Sequence, residues 1–144
     1  MAAELSIVDV GHGNCAVLND DGHITVFDAG QGSSLLEFLE SEGVKKVTTL
    51  LISHADEDHV GGVIGLVGSE TVEIDVIRLN SDATKTFKNG RKWKQLLYTL
   101  NKAHKAGKLD FNVGLTTSNT GEFDSSKIHI EIIGPSPYLA GLSA

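Results

Sequence analysis

Between Ser53 and Gly62 the chain reads Ser53-His54-Ala55-Asp56-Glu57-Asp58-His59-Val60-Gly61-Gly62, which sets two imidazoles and up to three carboxylates on six consecutive residues, 54 to 59. Imidazole suits Zn, Fe and Ni, whereas carboxylate suits harder ions such as Mn and Mg, so a mixed set fits a borderline divalent metal. In an extended segment His54 and Asp56 project from the same side, and Asp58 with His59 can turn toward a second ion. The expected ligands are therefore His54, Asp56, Asp58 and His59, holding one or two divalent ions, Zn or Mn. Two such ions about 3.5–4 Å apart clamp both oxygens of a displacement at phosphorus or a carbonyl carbon and lower the pKa of bridging water. That is hydrolase chemistry. A solvated acidic loop with incidental histidines is the plainer alternative, but solvation requires neither imidazole nor the Gly-Gly that follows. Glu57, between the expected ligands, is read as facing solvent.

These groups need a scaffold, and the flanking sequence describes one. Val47 to Ile52 is short, apolar and rich in β-branched residues, as a buried strand is. It delivers the cluster to a sheet edge, where open α/β sheets bind ligands. Gly61 and Gly62 are expected to shape a tight connection into a short helix over Val63 to Val67. Upstream, strands are expected over Glu4 to Val10, Asn14 to Leu18 and His23 to Asp28, the last two joined by an Asn19-Asp20-Asp21-Gly22 turn, giving an antiparallel start. Leu35, Leu36 and Leu39 mark a helix preceded by serine caps and closed by Gly43. Val72 to Leu79 reads as a strand. Trp93, Leu96, Leu97, Leu100 and Ala103 fall at helical spacing over Arg91 to Ala106, and strands follow at Asp110 to Leu115 and Lys127 to Ile133. Strands and helices alternate, which makes the chain an α/β protein.

Asp28, at a strand end before Ala29-Gly30, is expected to accept hydrogen bonds from the metal loop and orient a ligand, as carboxylates behind metal sites do; a turn-forming Asp before Gly is the alternative. His104 borders the apolar face of its helix and is read as an exposed residue rather than a third histidine ligand. His129 falls on the polar face of its segment and receives no role.

The 144 residues suffice for one domain with a real core. No apolar run approaches the roughly 18 residues of a membrane span, so no membrane partner is expected. The single cysteine, Cys15, excludes an internal disulfide framework and fits a reducing, cytoplasmic setting. A formal charge of −7 argues against bulk attraction to nucleic acid. Its distribution reverses that locally: eight of the twelve basic residues lie between Lys85 and Lys108 with no Asp or Glu among them. Lys88, Arg91, Lys92 and Lys94, interleaved with Phe87 and Trp93, form a candidate surface for gripping phosphates while stacking bases. A plain solvated helix face is the equal alternative.

His54-x-Asp56-x-Asp58-His59-x-Gly61-Gly62 resembles the His-x-His-x-Asp-His signature of the metallo-β-lactamase superfamily, in the variant with Asp at the second histidine position. Asp9-Val10-Gly11-His12-Gly13-Asn14 resembles the family's Asp-Val-Gly-Gln-Gly-Asp element, with His12 in place of Gln and Asn14 in place of Asp. Val26-Phe27-Asp28-Ala29-Gly30 resembles its strand ending in Asp-Ala/Thr-Gly. Together they are similar to the domains of competence-type (ComEC-like) DNA-uptake proteins, strongly over residues 5 to 68 and loosely to Pro135. The resemblance implies an αββα sandwich of two pseudo-repeated halves, of which residues 1–144 correspond to the first. It also implies further ligands, a bridging Asp and one or two His, on segments that follow the first half. The tail after Pro137 carries no strand, helix or cap signal, so truncation, processing or completion by a second polypeptide is expected. The implied function is metal-dependent hydrolysis of a phosphodiester, a nuclease activity in which a metal-bound hydroxide attacks phosphorus and Asp58 steers or deprotonates the water. The alternative is a non-catalytic or split binding module that needs a partner chain to complete its site.

Overall fold

The structure, a computed structural model, describes residues 3–11, 13–53, 57–80, 90–133 and 137; of residues 57–61 and 90–93 it describes the backbone. Along the chain come β1 (Glu4–Ile7), β2 (Ala16–Asp20), β3 (His23–Phe27), α1 (Ser34–Ser41), β4 (Lys46–Ile52), α2 (Glu57–Gly68), β5 (Glu73–Asn80), α3 (Gly90–Lys105) and β6 (Asp110–Leu115). The six strands form one sheet in sequential order. β1, β2 and β3 pair antiparallel, and β3, β4, β5 and β6 pair parallel. Each parallel step passes through a helix, because parallel neighbours need a crossover long enough to return the chain to the same edge. The α/β class read from the sequence is the class observed.

All three helices cover one face of the sheet. Leu35 and Leu39 of α1, Leu66 of α2, and Leu96 and Leu100 of α3 share a core with Val26, Leu50 and Ile77 of the strands. The opposite face carries Leu18, Leu51 and Leu115, which meet Phe123 and Ile130 from the chain after β6. β4 therefore buries both faces over its second half, which is why Leu50-Leu51-Ile52 is continuously apolar rather than alternating. On the edge strand β1, Leu5 lies opposite Leu18 yet is 59% exposed, and Ile7 on the same face is 77% exposed. Among the described residues no helix is long and apolar enough to cross a membrane.

Five local expectations are corrected. β1 ends at Ile7 rather than Val10, and the hairpin turn narrows to Asp21-Gly22, because Asp20 still pairs with His23. Ser33 occupies the α1 N-cap without a side-chain cap hydrogen bond. α2 begins at Glu57, not Val63, so Gly61 and Gly62 lie inside the helix; acidic Glu57 and Asp58 in its first turn suit the positive end of the helix dipole. The segment from Lys127 to Ile133 does not join the sheet. Its alternation is real, since Ile128, Ile130 and Ile132 pack on the second face, but its backbone bonds turn back on the preceding loop. The Gly121 N–H donates to Ile130 O at 3.1 Å and the Ser125 N–H to Ile128 O at 3.0 Å, while the Thr120 hydroxyl accepts from the Ile132 N–H at 2.8 Å. Residues 116–133 thus form a strap.

Asp20 pins that strap. It is buried at 2% exposure, and its Oδ2 accepts from the Ser125 hydroxyl at 2.5 Å and the Lys127 N–H at 2.8 Å. The Ser125 hydroxyl first, then the Lys127 N–H, hold its pKa below the usual carboxylate value.

Candidate metal centre

Because β2 runs against its neighbours, the C-terminal ends of β1, β3, β4, β5 and β6 all emerge at one edge of the sheet. Three connections meet there: the loop after β1, the turn after β3, and the link from β4 to α2. Asp28 is the first residue after β3. Its N–H donates to Leu51 O at 2.9 Å, and its carboxylate is almost fully buried. Oδ1 accepts the Ser53 N–H at 2.8 Å and Oδ2 accepts the Ser53 hydroxyl at 2.7 Å. Holding this bidentate geometry places Asp28 at φ 60°, the left-handed region, which Asp tolerates better than most residues. Ser53 immediately precedes His54, so the buried carboxylate fixes the backbone where the histidine-carboxylate segment begins.

The far end of that segment is fixed by α2. The Gly62 N–H donates to Gly30 O at 2.8 Å, and a Cβ on Gly62 would stand 2.5 Å from Ala29 O. Gly30, at φ 63°, approaches the first loop as closely: a Cβ there would stand 2.6 Å from Val10 Cβ. Gly62 therefore serves helix-to-turn contact within α2 rather than a tight connection before the helix. Cys15 lies beneath, 4% exposed, its thiol pushed up to about 12 by burial and then by the Asp28 charge. Such a thiol is protonated and unreactive at neutral pH.

His54 and Asp56 lie outside the described residues, and Asp58 and His59 fall in the first turn of α2, where the backbone alone is described. Among the described residues no group of three or more His, Cys, Asp or Glu is arranged to hold a metal. The donors of residues 54–59 fit a borderline divalent ion in kind, and two described residues that flank them are held, Ser53 by Asp28 and Gly62 by Gly30. A cleft of about 300 Å³ adjoins this edge, with Asp28, Ser53 and Asn80 beside apolar Phe27, Leu51 and Ile132.

Neither other histidine of interest joins the centre. His104 is exposed, and its Nδ1 accepts the Phe111 N–H at 3.2 Å, tying α3 to β6. His129 is exposed on the strap, 2.8 Å from Asp124 Oδ2. Of the proposed basic residues, Lys88 is outside the described set, Arg91 and Lys92 begin α3 with backbone described, and Lys94 is exposed. Sequence reasoning passed over Ser53 and Asp20. Ser53 was detectable as a short hydroxyl residue between a buried strand and a histidine; Asp20 resembled any turn aspartate.

The sequence profile described as the metallo-beta-lactamase superfamily matches residues 8–134. A hydroxyacylglutathione hydrolase of Methylobacillus flagellatus is 31% identical over 58 residues, covering 40% of this chain and 23% of that protein. Among solved structures, a diphosphatase from the PhnP family aligns with a TM-score of 0.50 at 14% identity, over 81% of this chain and 52% of its own. The short form of human tRNase Z aligns at 0.44 and 17% identity, over 83% of this chain and 48% of its own. The chain thus spans about a quarter of the curated relative and about half of the solved structures.

Proposed function

This chain belongs to the metallo-beta-lactamase superfamily, and we propose that it carries the first half of a metal-dependent hydrolase centre acting on phosphodiesters, nucleic acid above all. The superfamily generally binds divalent metals, usually zinc. The observation that supports the reading is the Asp28–Ser53 clamp, which holds Ser53, the residue before His54, at the sheet edge. In this proposal His54, Asp56, Asp58 and His59 hold one or two ions, Zn or Mn. When bound, the ions supply Lewis acidity and acidify coordinated water. Asp58 orients the attacking water and accepts its proton, while Asp28 and Ser53 keep the ligand segment in register. Asp56 in place of a second histidine adds negative charge and an oxygen donor, which favours the harder ions used in phosphoryl transfer. The basic stretch from Lys88 to Lys94 supplies attraction for a polyanion. The competence-type branch is the proposed subgroup, on the strength of Asp9 to Asn14 and the Asp56 position. The unreactive lone cysteine fits a cytoplasmic setting.

A second reading is a split or non-catalytic module completed by another polypeptide. It is favoured by the exposed Leu5 and Ile7 on the sheet face opposite the helices. One experiment addresses both. The 144-residue chain is loaded with Mn or Zn and assayed on bis-p-nitrophenyl phosphate and on a hydroxyacylglutathione. Diester turnover that Asp58→Ala abolishes and His129→Ala leaves intact supports the catalytic reading. Full activity in Asp58→Ala rejects the mechanism, preference for the hydroxyacylglutathione rejects the substrate, and metal uptake without turnover favours the split module.

A further inference from the structure

α3 buries one stripe and presents a chemically different one. Leu96 and Leu100 sit in the core, 1% and 0% exposed. On the opposite side, at helical spacing, Lys94, Tyr98, Asn101, Lys102 and Lys105 are all exposed, and Tyr98 retains 69% of its surface in solvent. The last four line a shallow groove of about 360 Å³. α3 contains no Asp or Glu, and among the described residues none of Lys94, Lys102 and Lys105 has an ion-pair partner. A phenol ring left in water between unneutralised ammonium groups, on a chain of net charge −7, is a local reversal of the molecule's electrostatics.

We propose that the Lys94–Tyr98–Lys102–Lys105 stripe of α3 is a docking track for single-stranded nucleic acid, with Tyr98 stacking on a base and the lysines pairing with phosphates. Lys94, Lys102 and Lys105, about two turns and then one turn apart, span about 16 Å of helix at 1.5 Å per residue, long enough for several nucleotides. The aromatic ring selects a strand whose bases are unstacked, because a duplex hides its base faces. An anionic membrane is the weaker match, since interfacial helices insert an apolar face and that of α3 is already spent on the core. The track has a direction. β5 and β6 are parallel, so α3 runs back across the sheet, with its first turn toward the edge where β4 and β5 end and its last turn beside the start of β6. A strand lying on it leads toward the candidate metal centre. This rests on the nucleic-acid reading only for the strand's fate; its capture needs no catalysis.

The test is fluorescence anisotropy of labelled oligo(dT) with the 144-residue chain in EDTA, compared with Tyr98→Ala and with a Lys94→Gln/Lys102→Gln/Lys105→Gln variant, each checked for an unchanged thermal melt. Tyr98→Ala should weaken binding about tenfold, as loss of one stacked base does. The triple variant should make the salt dependence of log K shallower by about 2, for three phosphate contacts at roughly 0.7 each. Unchanged affinity in both variants overturns the proposal. So does a triple variant that loses binding to phosphatidylserine vesicles but not to oligo(dT). Binding without diester cleavage in Mn sinks the catalytic reading and leaves the track standing, whereas cleavage without stripe-dependent binding does the reverse.

Discussion

The Asp28 carboxylate takes both polar hydrogens of Ser53, the N–H at 2.8 Å and the hydroxyl at 2.7 Å, across 25 residues of chain. Charge-assisted hydrogen bonds of this kind, here made by a buried carboxylate to an exposed serine, are among the stronger polar contacts a fold makes. Their position matters more than their strength, because the residue they hold is the one before His54. Ser53→Ala removes one bond and Asp28→Ala removes both, and Ala also strains the left-handed backbone at 28.

We therefore expect Asp28→Ala to weaken Zn or Mn binding by about 10–100-fold, the range typical of lost support behind metal ligands. Ser53→Ala should cost less. Asp28→Asn, which tolerates the left-handed backbone and still offers one acceptor, should fall between. Isothermal titration with each metal reads the series, and equal affinity across all three variants would contradict the clamp.

Gly62 provides a packing test in which propensity and contact oppose one another. Ala is favoured over Gly inside a helix by about 0.8–1 kcal/mol. At Gly62, however, the added Cβ would meet Ala29 O at 2.5 Å, whereas at Gly65 nothing lies within 4 Å. Gly65→Ala should thus stabilise by up to about 1 kcal/mol. Gly62→Ala should destabilise by about 1–3 kcal/mol, as overpacking does. Urea unfolding measures both, and a stabilised Gly62→Ala would show that α2 does not press on the Ala29–Gly30 turn.

The strap should respond to pH from two sides. Asp20 has a lowered pKa in the fold, so its contribution is present above the unfolded value of about 3.9 and is lost as pH falls through the folded one. His129 has a raised pKa, first through its hydrogen bond to Asp124 and then through that charge, with Glu131 adding to it. Its contribution is full below the unfolded value of about 6.5 and is lost as pH rises through the folded one. Hydrogen exchange of the Ile130 and Ile132 amides, corrected for intrinsic rate, should be slowest between about pH 4 and 6.5. Asp20→Asn should shrink the acid limb, leaving the part that belongs to Asp124, whose pKa is lowered by His129 and by the Ile130 N–H that its Oδ1 accepts at 2.7 Å, and His129→Ala should remove the alkaline one. Protection that is flat across this range in the unsubstituted chain would show that neither pair holds the strap.

Much of this architecture was legible without coordinates. The periodicity of Leu96 and Leu100 marked α3, the apolar run to Ile52 marked β4, and the order Asp28, His54, Asp58 marked the family. Local spacing suffices there because helix and strand periods are properties of a few residues in a row. It failed where two meanings share one local pattern. Ile128, Ile130 and Ile132 alternate as a strand does, but whether their backbone finds a ladder or its own loop depends on what stands beside it.

Taken by itself, the amino-acid order determined the fold class, the helix faces and the chemical identity of the groups at residues 54–59. Tertiary structure decided that Asp28 grips Ser53, that Asp20 reaches 105 residues along the chain to Ser125, and that Gly62 is glycine because Ala29 O leaves no room. The division has a physical cause: side-chain chemistry and backbone period are written locally, whereas a hydrogen bond or a steric contact between distant segments exists only once burial has brought both partners to the same place.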